Sequence, residues 1–338
     1  MAAARNTTRS IDVPHLRALW RRNVAPERPA GPVDAVSWAA DRAVIDGLGL
    51  GLHETLHFLH FATPNFAAFE HWVLDHHGGA IEPALAASVN AAVARVLGEA
   101  AAPVVNRFPP GFDPVLDQED LRCWDERGYV LLRGAVSGDA AAAAAAAIWE
   151  FLGMHPEEPR SWCDRSNTEG IFVPLVHHPA LVQNRRSPRI WSAFAQLCGT
   201  PELQVNTDRA GFNPPQQPDF AFRPPGLHWD TSLVPPIPAE PHGILYLTDT
   251  PAEQGAFCCV PGFHRRIETW LAGLAPDVDP RVAILSHPAQ RIGGAAGDMV
   301  IWHAALPHGA SRNDGPRPRL AQYIAYRPAN APDDRPWR

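Results

Sequence analysis

The sequence predicts an α+β chain: a helical N-terminal region, then a jelly-roll-like sandwich or barrel with helices packed outside it. Three observations carry this expectation. Up to about residue 115, apolar residues recur at helical spacing. Beyond residue 200 the signals become short strand-forming runs, each bounded by Gly, Pro, Asn or Asp. The 36 prolines and 25 glycines are spread through all 338 residues, as a loop-rich fold requires.

Taken in order, LRALW (16–20), FAAFEHWVLDHHGG (66–79) and PALAASVNAAVARVLGEA (83–100) carry apolar residues three and four apart and read as helices. VNRFPPGFDP (105–114) breaks the pattern and reads as a linker. DQEDLRCWDERG (117–128) is expected as a short helix and YVLLRGAV (129–136) as a strand. Ser137 and Asp139 open a run of strong helix formers (137–153), and a further helix over 187–199 ends on Gly199. The strand candidates that follow are ELQVN (202–206), GILYLTD (243–249), AFCCV (256–260), DMVIW (298–302) and LAQYIAY (320–326).

Composition narrows the chemistry. The 29 basic residues are all arginine, so a Schiff-base lysine, a pyridoxal phosphate anchor and a P-loop lysine are ruled out. Net charge is −7 and the arginines are scattered, leaving no basic patch for nucleic acid. The five cysteines form no CxxC pair, which fits a reduced protein. With no apolar leader and no long apolar run, the expectation is a cytoplasmic protein with no membrane partner.

The sharpest feature is LHWD (227–230). In an extended segment His228 and Asp230 project to the same side and Trp229 to the other, so an imidazole and a carboxylate can meet one cation. A third ligand would complete a facial triad with positions left open for a co-substrate and dioxygen, as non-haem iron(II) oxygenases need. GDMVIWHAALPHGASRNDGPRPRL (297–320) supplies two candidates, His303 and His308. Arg317 and Arg319 follow, and an arginine beside a metal site can grip a carboxylate with paired hydrogen bonds. The histidines at 53, 57, 60, 71, 76 and 77 lack both an accompanying cysteine and the HExxH pattern, and read as core or surface residues.

In order along the chain, ERGYVLLRGAV (126–136), LHWD, GAFCCVPGFH (255–264), GDMVIWHAALPHGASRN (297–313) and Arg319 resemble the phytanoyl-CoA dioxygenase family of iron(II)- and 2-oxoglutarate-dependent oxygenases. The resemblance spans roughly residues 117–328. It implies a double-stranded β-helix core of the jelly-roll, cupin-like kind, flanked by helices. Residues 116–338 would form the dioxygenase domain, and residues 1–115 a helical extension for which the resemblance offers no counterpart. The family pattern is an HxD, a G-D strand, then H-G-S-x-x-N with an arginine eleven residues past that histidine. Gly309 and Asn313 fall in register, which implies His308 over His303 as third ligand and Arg319 over Arg317 as the carboxylate partner. The family's serine is Ala310 here, with Ser311 beside it, a position that on a strand faces the other way. His264, in the family's P-G-S-H turn, is expected to be structural.

The resemblance further implies Fe(II), 2-oxoglutarate and O2 as the reacting set, with Arg319, Ser311 and Asn313 around the 2-oxoglutarate tail. A C–H bond of a small metabolite would be hydroxylated or otherwise oxidised, with release of succinate and CO2. Related halogenases carry a small residue in place of the carboxylate, so Asp230 points to hydroxylation or another oxidation. Trp229, Arg223, Tyr246 and His303 are the candidate pocket residues, and nothing in the sequence marks a coenzyme A site. Two other readings use the same residues: a cupin-type isomerase or hydrolase working without 2-oxoglutarate, and a non-catalytic binding protein.

Overall fold

The structure, a computed structural model, describes residues 11–24, 34–99 and 112–328. They fall into two compact units, one holding the residues up to 99 and one those from 112. Of the expected linker, residues 105–111 lie outside the described residues. No helix among the described residues is long and apolar enough to cross a membrane.

The first unit is helical: α1 (His15–Asn23), α2 (Ala35–Gly47), α3 (Leu52–His57) running into a π-helical turn (Phe58–Ala62), α4 (Phe66–Asp75) and α5 (Pro83–Val96). The starts follow capping chemistry. The Asp34 carboxylate accepts from Ser37 N, the Asn65 side chain accepts from Ala68 N, and Pro83 opens α5. Leu16, Leu19, Val44, Ile45, Leu59, Phe69, Val73 and Val89 form its core. Within that core the buried Asp41 carboxylate accepts from Arg22, whose Nε lies at 2.8 Å, so the charge is compensated. His53 and His57 stack on each other, His76 donates to the Trp72 carbonyl and His77 to that of Leu48. No three of the six clustered histidines converge.

The second unit combines helices with antiparallel strands. Its elements begin α6 (Gln118–Arg127), β1 (Tyr129–Leu132), α7 (Gly138–Leu152), β2 (Phe172–Val173), α8 (Pro179–Arg185), α9 (Pro188–Cys198), β3 (Leu203–Asn213) and β4 (Pro241–Tyr246). They continue β5 (Phe257–Cys259), α10 (Ile267–Ala272), α11 (Pro280–Ala283), β6 (Gln290–Ile292), β7 (Met299–His303), β8 (His308–Ala310) and β9 (Arg319–Pro328). One sheet has the order β1-β7-β4-β9-β3-β2 and the other β6-β5-β8. Residues 115 and 116, which the sequence reading assigned on either side of a boundary, both donate their amides to Gln196 Oε1 of α9 at 2.7 and 2.9 Å.

Strand alternation sorts the large sheet's side chains into two cores. Met299 and Ile301 of β7, Leu245 of β4 and Leu320 and Ile324 of β9 pack against α7 and α9 through Ile148, Ile190 and Phe194. Val300, Trp302, Ile244, Tyr246 and Ala321 point the other way, into a core shared with Phe257 and Cys259 of the small sheet. That second face is where the candidate ligands gather.

Two differences from the sequence reading have local causes. β3 is longer than ELQVN because it pairs with β9 as far as Asn213↔Arg319, through an irregularity between Thr207 and Ala210 that interrupts the alternation. LHWD is not a full strand: it joins the small sheet only through an isolated bridge, His228↔His308. Gly243 of β4 is a close approach, since a Cβ there would lie 2.8 Å from the Ile324 carbonyl oxygen and against Met299 and Phe194. Gly243→Ala should therefore cost about 1–3 kcal/mol through overpacking. An unchanged urea midpoint would show that β4 and β9 are not this close.

Candidate metal centre

Two backbone hydrogen bonds assemble the site. His228 N donates to the His308 carbonyl at 2.8 Å, and His308 N donates to that of His228 at 3.0 Å. This exchange sets two histidines side by side from segments 80 residues apart, with ring centroids 4.7 Å from each other. Gly309 permits the approach, because a Cβ there would lie 2.7 Å from the Gly226 carbonyl oxygen.

Each imidazole is then turned by a nearby carbonyl. His228 Nδ1 lies 2.8 Å from the Gly226 oxygen and His308 Nδ1 lies 3.0 Å from that of Leu306. A carbonyl only accepts, so both Nδ1 atoms carry protons, and in the neutral rings both Nε2 atoms present lone pairs. These lone pairs face Asp230: His308 Nε2 is 3.1 Å from Oδ2 and His228 Nε2 is 3.6 Å from Oδ1. Ligand atoms of His228, Asp230 and His308 all lie within 4.8 Å of one another. Desolvation holds the His228 pKa below its usual value and so favours the neutral ring. Burial pushes the Asp230 carboxyl up, but the imidazoles set around it, His308 first, outweigh burial in the metal-free site and leave the group well below the usual carboxylate range. Two lone-pair nitrogens around a carboxylate fit a divalent cation.

Arg319 opens β9 on the same inner face. It is fully buried, and among the described residues none of Nε, Nη1 and Nη2 makes a well-formed hydrogen bond, the Tyr323 hydroxyl lying only in loose reach. The phenols of Tyr246 and Tyr323 lie near enough to feel its charge. A guanidinium held this way calls for a carboxylate supplied from outside the chain. Its neighbourhood is tightly built. Asn213, opposite Arg319 in the ladder, donates Nδ2 to the Ser311 carbonyl at 3.0 Å. Ser311 Oγ and Asn213 Oδ1 are buried and have no hydrogen-bond partner among the described residues.

The remaining sequence candidates separate clearly. Asn313 braces the turn: its Nδ2 donates to the Asn213 and Arg317 carbonyls, both at 2.9 Å, and its Oδ1 accepts from Gly315 N. Both amide hydrogens are thereby spent on the turn that leads to Arg319. The Trp229 side chain is buried against Phe263 and Trp270 and donates Nε1 to the Ala305 carbonyl at 3.0 Å. Tyr246 is likewise a brace. Its hydroxyl donates to the Ile292 carbonyl at 2.6 Å and accepts from Phe257 N at 3.0 Å, joining β4 to both β6 and β5. His303 lies against Trp124 and His264, and its Nδ1 accepts from Ala305 N; burial, with His264 and His242 nearby, lowers its pKa to about 4. Arg223 is exposed on the stretch before His228. His264 donates Nε2 to the Asp125 carbonyl, in a structural turn.

Two inner-face residues escaped the sequence reading. His242 stands opposite Trp302 in the β4–β7 ladder, with its ring 5.9 Å from the indole, and it feels the charges of Asp230 and His308. Trp302 packs 4.8 Å from the His308 ring and has a buried Nε1 with no protein acceptor. Strand parity with Tyr246 was the available signal for His242.

A histidine–carboxylate–histidine group that could hold a divalent ion, near a buried arginine, is the arrangement a non-haem metal oxygenase needs. The sequence matches the family described as phytanoyl-CoA dioxygenase (PhyH) over residues 124–321, and the chain belongs to that family. It is an Fe(II)- and 2-oxoglutarate-dependent dioxygenase, an oxidoreductase that uses O2. Among curated relatives, a putative phytanoyl-CoA dioxygenase of Dictyostelium discoideum is 20% identical, with 61% of this chain and 74% of that protein covered. An ectoine dioxygenase of Bordetella bronchiseptica is 23% identical over 64% of this chain and 76% of its own length. Among solved structures, EctD from S. alaskensis with bound Fe has 19% identity and a TM-score of 0.48, covering 70% of this chain and 87% of that one. HygX from Streptomyces hygroscopicus with nickel and 2-oxoglutarate has 16% identity and a TM-score of 0.46, covering 64% and 88%.

If Tyr246 is a brace, Tyr246→Phe strands the buried Phe257 amide and Ile292 carbonyl. It should cost about 1–3 kcal/mol in denaturant unfolding. A variant as stable as the parent would return Tyr246 to the list of pocket residues.

Proposed function

We propose that the chain hydroxylates a C–H bond of a small metabolite, with His228, Asp230 and His308 holding Fe(II) and Arg319 binding the distal carboxylate of 2-oxoglutarate. We infer further that the two sheets are the halves of a double-stranded β-helix, that residues 116–338 are the dioxygenase domain, and that residues 1–115 are a helical extension. The observation that carries the co-substrate assignment is the Arg319 guanidinium, buried and, among the described residues, with no carboxylate against it. A cupin-type isomerase or hydrolase has no use for such a cation.

The protein's own contributions follow from the geometry. The Gly226 and Leu306 carbonyls fix both imidazoles in the tautomer that offers Nε2. Asp230 stays anionic and half-exposed, toward the open side of the site. Phe257 and Trp302 pack their rings on His308 and shield that flank from solvent. Ser311 Oγ is the proposed second contact to the co-substrate, in place of the serine that Ala310 lacks. The Trp302 indole N–H and the His242 imidazole are the proposed substrate contacts, suited to an acceptor oxygen. When bound, iron and 2-oxoglutarate supply the chemistry: O2 and a substrate C–H become C–OH while the co-substrate leaves as succinate and CO2.

Succinate formation with added Fe(II), O2 and 2-oxoglutarate tests the reading. His228→Ala and Asp230→Ala should each abolish it in a protein that still folds, and retained turnover in either would displace the metal from these residues. Arg319→Ala should weaken 2-oxoglutarate binding roughly a hundredfold, about 3 kcal/mol, without loss of metal binding. Unchanged 2-oxoglutarate affinity would favour the cupin-type alternative.

A further inference from the structure

We propose that Arg281 is a positioning residue for the metal centre: its guanidinium clamps the main chain on both sides of Asp230 and holds the HxD segment in the shape that lets its two ligands converge. The proposal rests on the reading that His228, Asp230 and His308 bind the metal.

The need for a clamp follows from how little regular strand pairing the segment has. Residues 227–231 form no regular strand, and the bridge at His228 is their one ladder position among the described residues. Asp230 lies two residues beyond that bridge, and its side chain is half-exposed. A carboxylate so placed would sample many orientations unless the backbone carrying it were fixed from elsewhere.

Arg281 supplies that restraint. Its Nη1 donates to the Trp229 carbonyl at 2.9 Å and its Nη2 to the Thr231 carbonyl at 2.9 Å. These two carbonyls flank Asp230. A planar guanidinium presents its donors in a rigid fork, so gripping both oxygens fixes their separation and direction together. Ammonium at the end of a lysine is a single point and cannot impose the same constraint.

The clamp is itself anchored. Arg281 sits in α11, a short helix whose start is capped by the Asp279 carboxylate accepting from Arg281 N at 2.8 Å. Directly after it, Ile284 is fully buried in the core between the sheets. On the other side of the segment, the Trp229 indole is buried and bonded to the Ala305 carbonyl. Asp230 is thus placed by a bridge before it, an indole beneath it and a guanidinium across it. Neither the indole nor the guanidinium offers a ligand atom to the metal.

The test uses the full-length protein and Mn(II) as probe, with free ion followed by electron paramagnetic resonance. The visible charge-transfer band of the anaerobic Fe(II)–2-oxoglutarate complex gives a second readout. Arg281→Ala should weaken Mn(II) binding about 10–100-fold, the range typical when a group that orients a ligand is lost, and should shift or bleach the band. Arg281→Lys should recover only part of the affinity. Thermal unfolding of the metal-free variants is expected to stay near that of the parent. Should Arg281→Ala fail to fold, Arg281→Lys and Arg281→Gln carry the same comparison. Parent-like Mn(II) affinity and an unaltered band in a folded variant would overturn the proposal. If instead the parent binds no Mn(II), or Asp230→Ala binds it equally well, then the triad assignment has failed and the clamp falls with it.

Discussion

The reciprocal pair of backbone hydrogen bonds between His228 and His308 is the constraint on which the site depends. It comes from polar main-chain groups that must be satisfied once buried, and it would form whatever side chains those residues carried. Histidine at both places turns an ordinary bridge into a juxtaposition of imidazoles. The carbonyls of Gly226 and Leu306, each two residues before its histidine, then aim the rings. Most of the geometry needed to hold a divalent ion is therefore written in the main chain, and the side chains complete it.

A second principle governs the other end of the site. The interior between the sheets is largely apolar, built from Val300, Ile244, Ala321 and Phe257, yet a guanidinium opens β9 on that face. The surrounding polar groups are arranged to shape the turn around it. Asn313 and Asn213 bond main-chain carbonyls of the loop, and Tyr246 bridges three strands. The scaffold fixes where the cation lies and leaves its hydrogen-bonding capacity unspent.

The fold was legible where its signals are local. The alanine-rich run became α7 with Ser137 as its cap and Gly153 in the left-handed region, and SPRIWSAFAQLCG became α9 between Ser187 and Gly199. The strand cores of β4, β5, β7 and β9 fell where alternation and bounding turns put them. His228, Asp230, His308 and Arg319 could be singled out because a two-residue step and an in-register downstream motif survive in one dimension. What stayed hidden depends on distant partners. The hydroxyl of Tyr246 finds an acceptor 46 residues away, and Asn313 reaches a carbonyl 100 residues back, so a polar residue near the motif looked functional when it was a brace. The short strands β6 and β8 owe their existence to pairing with β5 more than to any propensity of their own. His242 and Arg281 sit in segments whose sequence resembles ordinary loop, and only tertiary placement gives them their roles.

The burial of Arg319 reaches beyond catalysis into the folding equilibrium. On the proposed pairing of Arg319 with the co-substrate carboxylate, a cation withdrawn from water is compensated only when that ligand binds, and the native state becomes partly a bound state. By mass action, a ligand at a hundred times its dissociation constant adds about 2.7 kcal/mol to the unfolding free energy. The persistence of the folded chain is then tied to the local abundance of that metabolite, so supply of the co-substrate would set how long the protein lasts as well as how fast it works.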